Sequence, residues 1–255
     1  MEWAYAVSGL VGGFLVGVTG VGGGSLMTPL LVMVFGIAPA TAVGTDLLYA
    51  AATKASGVWV HSRKGNVDWK AVRLLILGSA PASLLTLVLL REFKSLHTYD
   101  AFFRYGLGIA LVLTAVALLW EMGSDPAVGS DPISSPSSRP AGMTIALGAL
   151  IGILVTISSV GAGALGTAVL IALYPKMPIS RIVGTDIAHA VPLTLLAGLG
   201  HLSLGHVNTG LLINLLLGSI PGIWLGSHLN AHIAEKLSRP LLAILLLLIA
   251  AKLLF

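Results

Sequence analysis

Charge is what this chain has least of. Asp, Glu, Lys and Arg make up 9% of its 255 residues, against about 25% in a soluble domain. So few polar side chains cannot cover a globule of this size, which excludes an ordinary water-soluble fold. Cysteine is absent, which excludes disulfides, thiolate metal sites and thiol chemistry. The N-terminus, Met1-Glu2-Trp3, lacks the basic segment of a signal peptide, so the first apolar run is expected to be retained. The glycine run at 20–24 is not followed by Gly-Lys-Ser/Thr. That excludes a phosphate-binding loop, and with it coupling to ATP by this chain alone. No metal or cofactor set is read from the sequence.

Apolar residues, by contrast, make up 56% of the chain, and mean hydropathy is +0.97. Most of what resembles core must face lipid. The apolar runs are Ala4–Val18, Ser25–Phe35, Thr41–Val60, Trp69–Leu90, Ala101–Trp120, Thr144–Ile157, Ala164–Tyr174, Ile182–Leu204, Val207–Ala231 and Leu241–Phe255. Several approach the roughly 20 residues that cross a bilayer; Ser25–Phe35 and Ala164–Tyr174 do not, and each follows a Gly-rich break. The net charge of +4 comes from basic residues strung between apolar runs. They read as topology determinants and not as a nucleic-acid surface. The polar stretch Glu121–Ala141, rich in Ser, Pro and Gly, is expected to be a flexible linker with almost nothing to bury.

The two sides of that linker repeat. At a shift of 140 residues, Val43-Gly44-Thr45-Asp46 falls on Val183-Gly184-Thr185-Asp186, His61 on His201, and Gly78-Ser79-Ala80-Pro81 on Gly218-Ser219-Ile220-Pro221. With a one-residue slip, Gly20–Leu26 falls on Ser159–Leu165. Shared hydrophobicity would match Leu and Ala, but not Gly-Thr-Asp and Gly-Ser-x-Pro in one register. Internal duplication in a polytopic chain marks transporters. The expected architecture is an all-α polytopic membrane protein of two repeated halves, residues 1–120 and 142–255, joined by linker 121–141. Each half contains a glycine-broken re-entrant or short-helix pair plus three spans. Arg63, Lys64, Lys70 and Arg73 flank the loop near residue 65, whereas its counterpart near 205 has no Lys or Arg. The bias reverses before Thr41, where the second-half counterpart carries Lys176 and Arg181. That reversal predicts inverted halves, with loop 61–69, the linker, Lys176/Arg181 and Lys236/Arg239 inside and both termini outside.

Candidate binding residues follow from the breaks. Gly20, Gly22, Gly23, Gly24 and Ser25, with Ser158, Ser159, Gly161 and Gly163, interrupt the helices at membrane depth. Bare peptide groups are tolerated there only when buried in protein or lining a cavity. A half-helix starting at Ser25 or Ala164 would aim its free N–H groups and positive dipole end at the break, a ready anion site. The alternative is close helix packing through small residues. Gly13, in the helix before the first break, is expected to tolerate an added methyl group. Thr45 and Thr185 join the binding set. Lys54, mid-run where a cation is costly, would attract an anion or pair with Asp46. Asp46 and Asp186 stand either as N-caps or as proton-coupling or gating groups. His189, three residues after Asp186, would relay protons to it. Ser79 and Ser219 are expected to serve carbonyls freed by the prolines.

The order Gly-Val-Gly-Gly-Gly, Thr28-Pro29-Leu30, Ala42-Val43-Gly44-Thr45, Gly65-Asn66-Val67-Asp68 and Gly78-Ser79-x-Pro81 resembles the sulfite exporter TauE/SafE family of membrane transporters. The resemblance covers the chain apart from the linker, and the echo in the second half fits that family's duplicated architecture. It implies movement of small sulfur-containing or carboxylate anions, such as sulfite or organosulfonates, across the bacterial inner membrane. Partners would be the small anion and the bilayer, with no nucleic acid; self-association is left open. The second half departs from the pattern, with Ala162 in place of a glycine and no proline after Thr167. The competing class is a membrane enzyme, an intramembrane aspartyl-type protease using Asp46 and Asp186 as paired carboxylates.

Overall fold

The computed structural model describes residues 2–19, 24–93, 99–123, 141–228 and 231–255. Those residues form ten α-helices in two sets of five: α1 (Glu2–Thr19), α2 (Gly24–Met33), α3 (Pro39–Arg63), α4 (Trp69–Phe93) and α5 (Tyr99–Gly123), then α6 (Ala141–Ser158), α7 (Ala164–Leu173), α8 (Ile179–Ser203), α9 (Thr209–His228) and α10 (Ala231–Leu254). By length and composition, α4, α5, α6, α8 and most of α9 qualify as membrane spans. Large apolar side chains such as Leu77, Leu85, Val88, Ile109, Leu217, Ile220 and Leu248 point outward, as lipid contact requires. All five tryptophans, Trp3, Trp59, Trp69, Trp120 and Trp224, sit exposed near helix ends, where amphipathic rings anchor at the headgroups. The guanidinium of Arg63 stacks over Trp59 at 4.1 Å.

Glycine sets the helix pairing. On α1, a methyl group at Gly9 or Gly13 would strike the α9 backbone at Leu215 and Ser219, and one at Gly218 or Gly222 would strike α1 at Ala6 and Leu10. The second half does the same: Gly148 and Gly152 of α6 lie on Leu75 and Ser79 of α4, and Gly78 lies on Ile145. Without Cβ atoms the backbones meet, and dispersion between them replaces the hydrophobic drive that lipid removes. Gly13 is therefore a contact position, and the expected tolerance there is overturned. In both pairs the residue numbers rise together, so the paired helices run parallel.

That register locates the second break. Thr156 Oγ1 meets Ser83 Oγ at 2.7 Å, and α4 continues ten residues beyond Ser83, about 15 Å. The end of α6 at Ser158 thus lies inside the depth of the long helices. The chain then turns back: Tyr174, just past α7, hydrogen-bonds Thr144 at the start of α6 at 3.0 Å, and Leu170 packs with Leu75 and Ile182. Helices α6 and α7 form a hairpin that enters and leaves at one end of the bundle. Helices α1 and α2 do likewise, with the rings of Tyr5 and Phe35 5.1 Å apart. The short-helix pair of each half is therefore re-entrant, followed by three long helices.

Equivalent helices oppose each other. A Cβ at Gly57 of α3 would meet Ile187 of α8, and one at Gly198 of α8 would meet Leu48 of α3, so α3 and α8 run antiparallel through the centre. Leu254, at the end of α10, packs on Gly108 in the first half of α5. Helix α5 runs on through Gly123, so the polar stretch begins later than Glu121 and its first three residues are helical. Glu121 itself is buried: as the last acidic group on an apolar helix it can fold inward, which a composition average over the stretch conceals. Residues 124–140 lie outside the described residues.

Candidate functional site

The Gly-Thr-Asp motif divides into three tasks. A methyl group at Gly44 would collide with the carbonyl of His206, and one at Gly184 with that of Asn66. Each glycine admits the loop of the opposite half. The next residue ties that loop down: Asn208 N–H donates to Thr45 Oγ1 at 3.1 Å, and Asp68 N–H donates to Thr185 Oγ1 at 2.9 Å. About 100° further round the helix, Asp46 and Asp186 turn into the interior, 0% and 3% exposed. Neither aspartate is an N-cap. Helix α3 begins at Pro39 and α8 at Ile179, seven residues earlier in each case. The caps are elsewhere: Asp68 Oδ1 accepts from Lys70 and Ala71 N–H at the start of α4, and Asn208 Oδ1 accepts from Leu211 N–H at the start of α9.

Around the second break, Ser159 (φ 59°), Gly161 (φ 110°) and Gly163 (φ 148°) hold left-handed backbone, which glycine adopts freely and serine rarely. Ser158 Oγ closes the end of α6, donating to Leu154 C=O at 2.6 Å and accepting from Val160 N–H at 3.1 Å. All five residues from 159 to 163 are buried. Into this break reaches Lys54 of the other half, whose Nζ donates to Ala162 C=O. Lys54 is 7% exposed. It lies within electrostatic reach of both Asp46 and Asp186, yet its hydrogen bond goes to the carbonyl and not to a carboxylate. Asp46 Oδ2 accepts from Thr28 Oγ1 at 2.5 Å, and the Ser159 hydroxyl neighbours the same carboxylate. Gly20, Gly22 and Gly23 lie outside the described residues, and Gly24 and Ser25 open α2.

On the opposite flank, Asp186 Oδ1 lies against the Cα of Gly166, where a Cβ would overlap it. Thr167 Oγ1 donates to Glu121 Oε1 at 2.6 Å, and Glu121 is close enough to act electrostatically on Asp186. Among the described residues, Glu121, Asp186, Lys54 and Asp46 thus form one buried group drawn from both halves. Sequence reasoning missed Glu121 by assigning it to the linker. It also missed the hydroxyls of Thr28 and Thr167, which fall on each other in the one-residue-slipped register of the repeat and so were available from it.

His189 does not turn to Asp186. Its Nε2 pairs with Ser79 Oγ of α4 at 2.9 Å, so the expected Asp–His relay is replaced by a contact between halves. Spacing on a helix gives the face but not the rotamer, and α4 supplied the nearer partner. Neither serine serves a freed carbonyl as expected: Ser79 is taken by His189, and Ser219 donates to Leu216 C=O at 3.2 Å, whereas Pro221 leaves the carbonyl of Leu217 without its helical donor. The crossing repeats once more: Tyr49, the counterpart of His189, faces Ser219, the counterpart of Ser79. No hydrogen bond joins Asp46 to Asp186 among those described; Thr28 holds one, Gly166 backs the other, and Lys54 acts on both.

A hairpin broken at depth and entered by a buried lysine among carboxylates has the form that binding sites take in polytopic membrane transport proteins. The family described as Sulfite exporter TauE/SafE matches residues 5–253, and the chain belongs to it. "Probable membrane transporter protein YjnA" of Bacillus subtilis (strain 168) is 38% identical over 255 residues, covering 99% of this chain and 100% of that protein. "Probable membrane transporter protein YunE" of the same organism is 25% identical over 271 residues, covering 98% and 96%. "Probable membrane transporter protein YdhB" is 29% identical over 218 residues, covering 84% of each. No solved structure matches the chain. This is a multi-pass membrane transporter of the TauE/SafE type.

Proposed function

We propose that the protein is a non-enzymatic secondary transporter of small oxyanions, sulfite or an organosulfonate, in the bacterial inner membrane, coupled to protons through its buried carboxylates. The observation that carries this reading is Lys54 of one half seated on the Ala162 carbonyl in the break of the other. A buried ammonium beside the start of a half-helix is a site for an anion: the ammonium supplies full charge and the first turn of α7 supplies N–H groups. With Asp46 and Asp186 both ionised, their two charges outweigh that of Lys54 and would repel that anion. The carboxylates must take up protons as the anion enters, and that requirement is the coupling.

We further infer that the halves are inverted in the membrane, in support of which α3 and α8 run antiparallel across their contact. The end bearing Arg63, Lys64, Lys70, Arg73, Lys176 and Arg181 is then cytoplasmic. The membrane potential favours exit of a monovalent anion by about 2.3 kcal/mol per 100 mV, so export needs no pH gradient to drive it and uptake does.

Flux of labelled sulfite and sulfoacetate into proteoliposomes, with and without a pH gradient, tests the reading. Lys54→Met should weaken apparent substrate affinity about 10- to 100-fold, the worth of a charged hydrogen bond of about 1.5–3 kcal/mol. Asp46→Asn and Asp186→Asn should lose gradient-driven accumulation and keep exchange at equal pH, because an amide cannot change charge during the cycle. Equal ratios of accumulation to exchange in wild type and both Asn variants would sink the coupling. Flux of neither anion would sink the substrate class.

A further inference from the structure

A second group of titratable side chains lies apart from the central charges, at the end of the bundle where the α8–α9 loop turns. His201, 0% exposed near the end of α8, and His206, 6% exposed in the loop, approach through their Nδ1 atoms at 3.1 Å. His201 Nε2 meets the carbonyl of Thr156 at 2.8 Å, two residues before the end of α6. His206 Nε2 meets the hydroxyl of Tyr99 at 3.3 Å. Phe103 closes the cluster, its ring edge-on to both imidazoles with centroids 5.9 Å away.

The chemistry of the last acceptor orders the whole chain. A carbonyl oxygen only accepts, so His201 Nε2 carries a hydrogen. In neutral His201, Nδ1 is then bare and accepts, so His206 Nδ1 must donate. Neutral His206 then has a bare Nε2, and the Tyr99 hydroxyl donates to it. These three bonds are satisfied with one polarity, directed from Tyr99 inward. The same contacts also hold with one added proton and the outer polarity reversed. Tyr99 passes its hydrogen to His206 Nε2 and takes up the incoming proton from hydronium, and His206 passes its Nδ1 hydrogen to His201 Nδ1. The product is an imidazolium at His201, which keeps Nε2–H on Thr156 and gains Nδ1–H to the now bare His206 Nδ1. His206 Nε2–H then donates to Tyr99 Oη. One proton has entered and none of the three bonds has been lost. A second proton would place two N–H groups face to face at 3.1 Å, which the pair cannot hold.

We propose that His201 and His206 are a binding site for a single excess proton, loaded through Tyr99 from the α8–α9 end. The duplication isolates what makes it. The first half keeps the histidine, His61, but has Asn66 where the second half has His206, and His61 Nδ1 has no hydrogen-bond partner. There the corresponding end is joined by an ion pair, Arg181–Asp68 at 3.3 Å. Among the described residues, the titratable or charged groups facing the pair are Tyr99 from α5 and, beyond it, Asp100. Helix α6 presents the Thr156 carbonyl, and α3 presents Gly44, against the Cβ of His201. The site would supply protons to the central carboxylates; that use rests on the coupling proposed above, while the binding itself does not.

The test is nitrogen-15 NMR of histidine-labelled full-length protein in nanodiscs. At pH 8 the expected spectrum has His201 as the Nε2–H tautomer and His206 as the Nδ1–H tautomer. On acidification both should respond in one shared, single-proton step. In His206→Asn, which copies the first half and so should fold, the shared step should disappear. In Tyr99→Phe the step should remain but exchange more slowly with solvent. The reversed tautomers, two independent titrations, or a step unchanged in His206→Asn would overturn the proposal. The Asp46→Asn and Asp186→Asn proteins should keep this titration whether or not they lose coupling, so the two readings fail separately.

Discussion

Neighbouring residues of one short motif do unlike work here. Thr185 accepts the Asp68 N–H and so holds the α3–α4 loop against α8, while Asp186, one residue on, points at Gly166 and the charges beyond it. The two are separable by substitution. Thr185→Val removes an acceptor from a backbone donor between elements and should cost about 1 kcal/mol of stability, with substrate affinity little changed. Asp186→Asn should do the reverse, leaving unfolding nearly unaltered and removing the response to a pH gradient. Denaturation monitored in lipid, set beside flux, checks both; a Thr185→Val protein with normal stability would remove the tether from the account. The motif was visible in the sequence because it repeats. Its division of labour was not, because residues 100° apart on a helix see different neighbours, and the neighbours belong to the other half.

Among the helices, the closest contacts are made by what is missing. Gly13 and Gly152 occupy the same place in the two halves, each against the backbone of a serine, Ser219 and Ser79. Either Gly→Ala change forces the helices apart, and we expect a loss of about 1–3 kcal/mol, as for overpacked cores. Thermal unfolding of each single variant is the measurement. A Gly13→Ala protein as stable as the parent would mean that α1 and α9 are not in the contact described. The displacement would also shift Ser79 or Ser219, and with Ser79 its bond to His189, so reduced flux should accompany the lost stability. Helix existence was readable from apolar runs, and the ten-residue lengths of α2 and α7 follow from the breaks before them. That glycines four apart mark pairing between halves was not read, since the partner serines are more than 60 residues away in the chain.

The whole molecule is held together by exchange. Each half's hairpin packs on a long helix of the other, α1 on α9 and α6 on α4, and each half's loop enters a glycine notch of the other. Neither half contains a complete site: Lys54 comes from one and Ala162 from the other. The inverted arrangement proposed above would place the two loop ends on opposite sides of the membrane. Single cysteines at Lys64 and Ser203, both exposed in this Cys-free chain, should therefore label from opposite faces of oriented vesicles with an impermeant maleimide. Asn208 is avoided because its side chain caps α9. Labelling from one face would end the inverted arrangement and reassign the cytoplasmic end.

Composition and periodicity alone settled that this chain lives in a bilayer as helices, because 9% charge cannot solvate a globule and lipid leaves the backbone no other partner than itself. Duplication, read from Gly-Thr-Asp and Gly-Ser-x-Pro, settled that the helices come in two equivalent sets with paired breaks. Which polar atoms meet was decided only by packing. Lys54 reaches a carbonyl 108 residues away, Thr28 rather than a lysine holds Asp46, His189 turns to Ser79, and Glu121 leaves the polar stretch for the interior. A hydrogen bond depends on distances of a few tenths of an ångström between side chains on different helices. Sequence spacing specifies positions along one helix and carries no information about the rotation and depth of its neighbour, which here is set by glycine contacts between the halves.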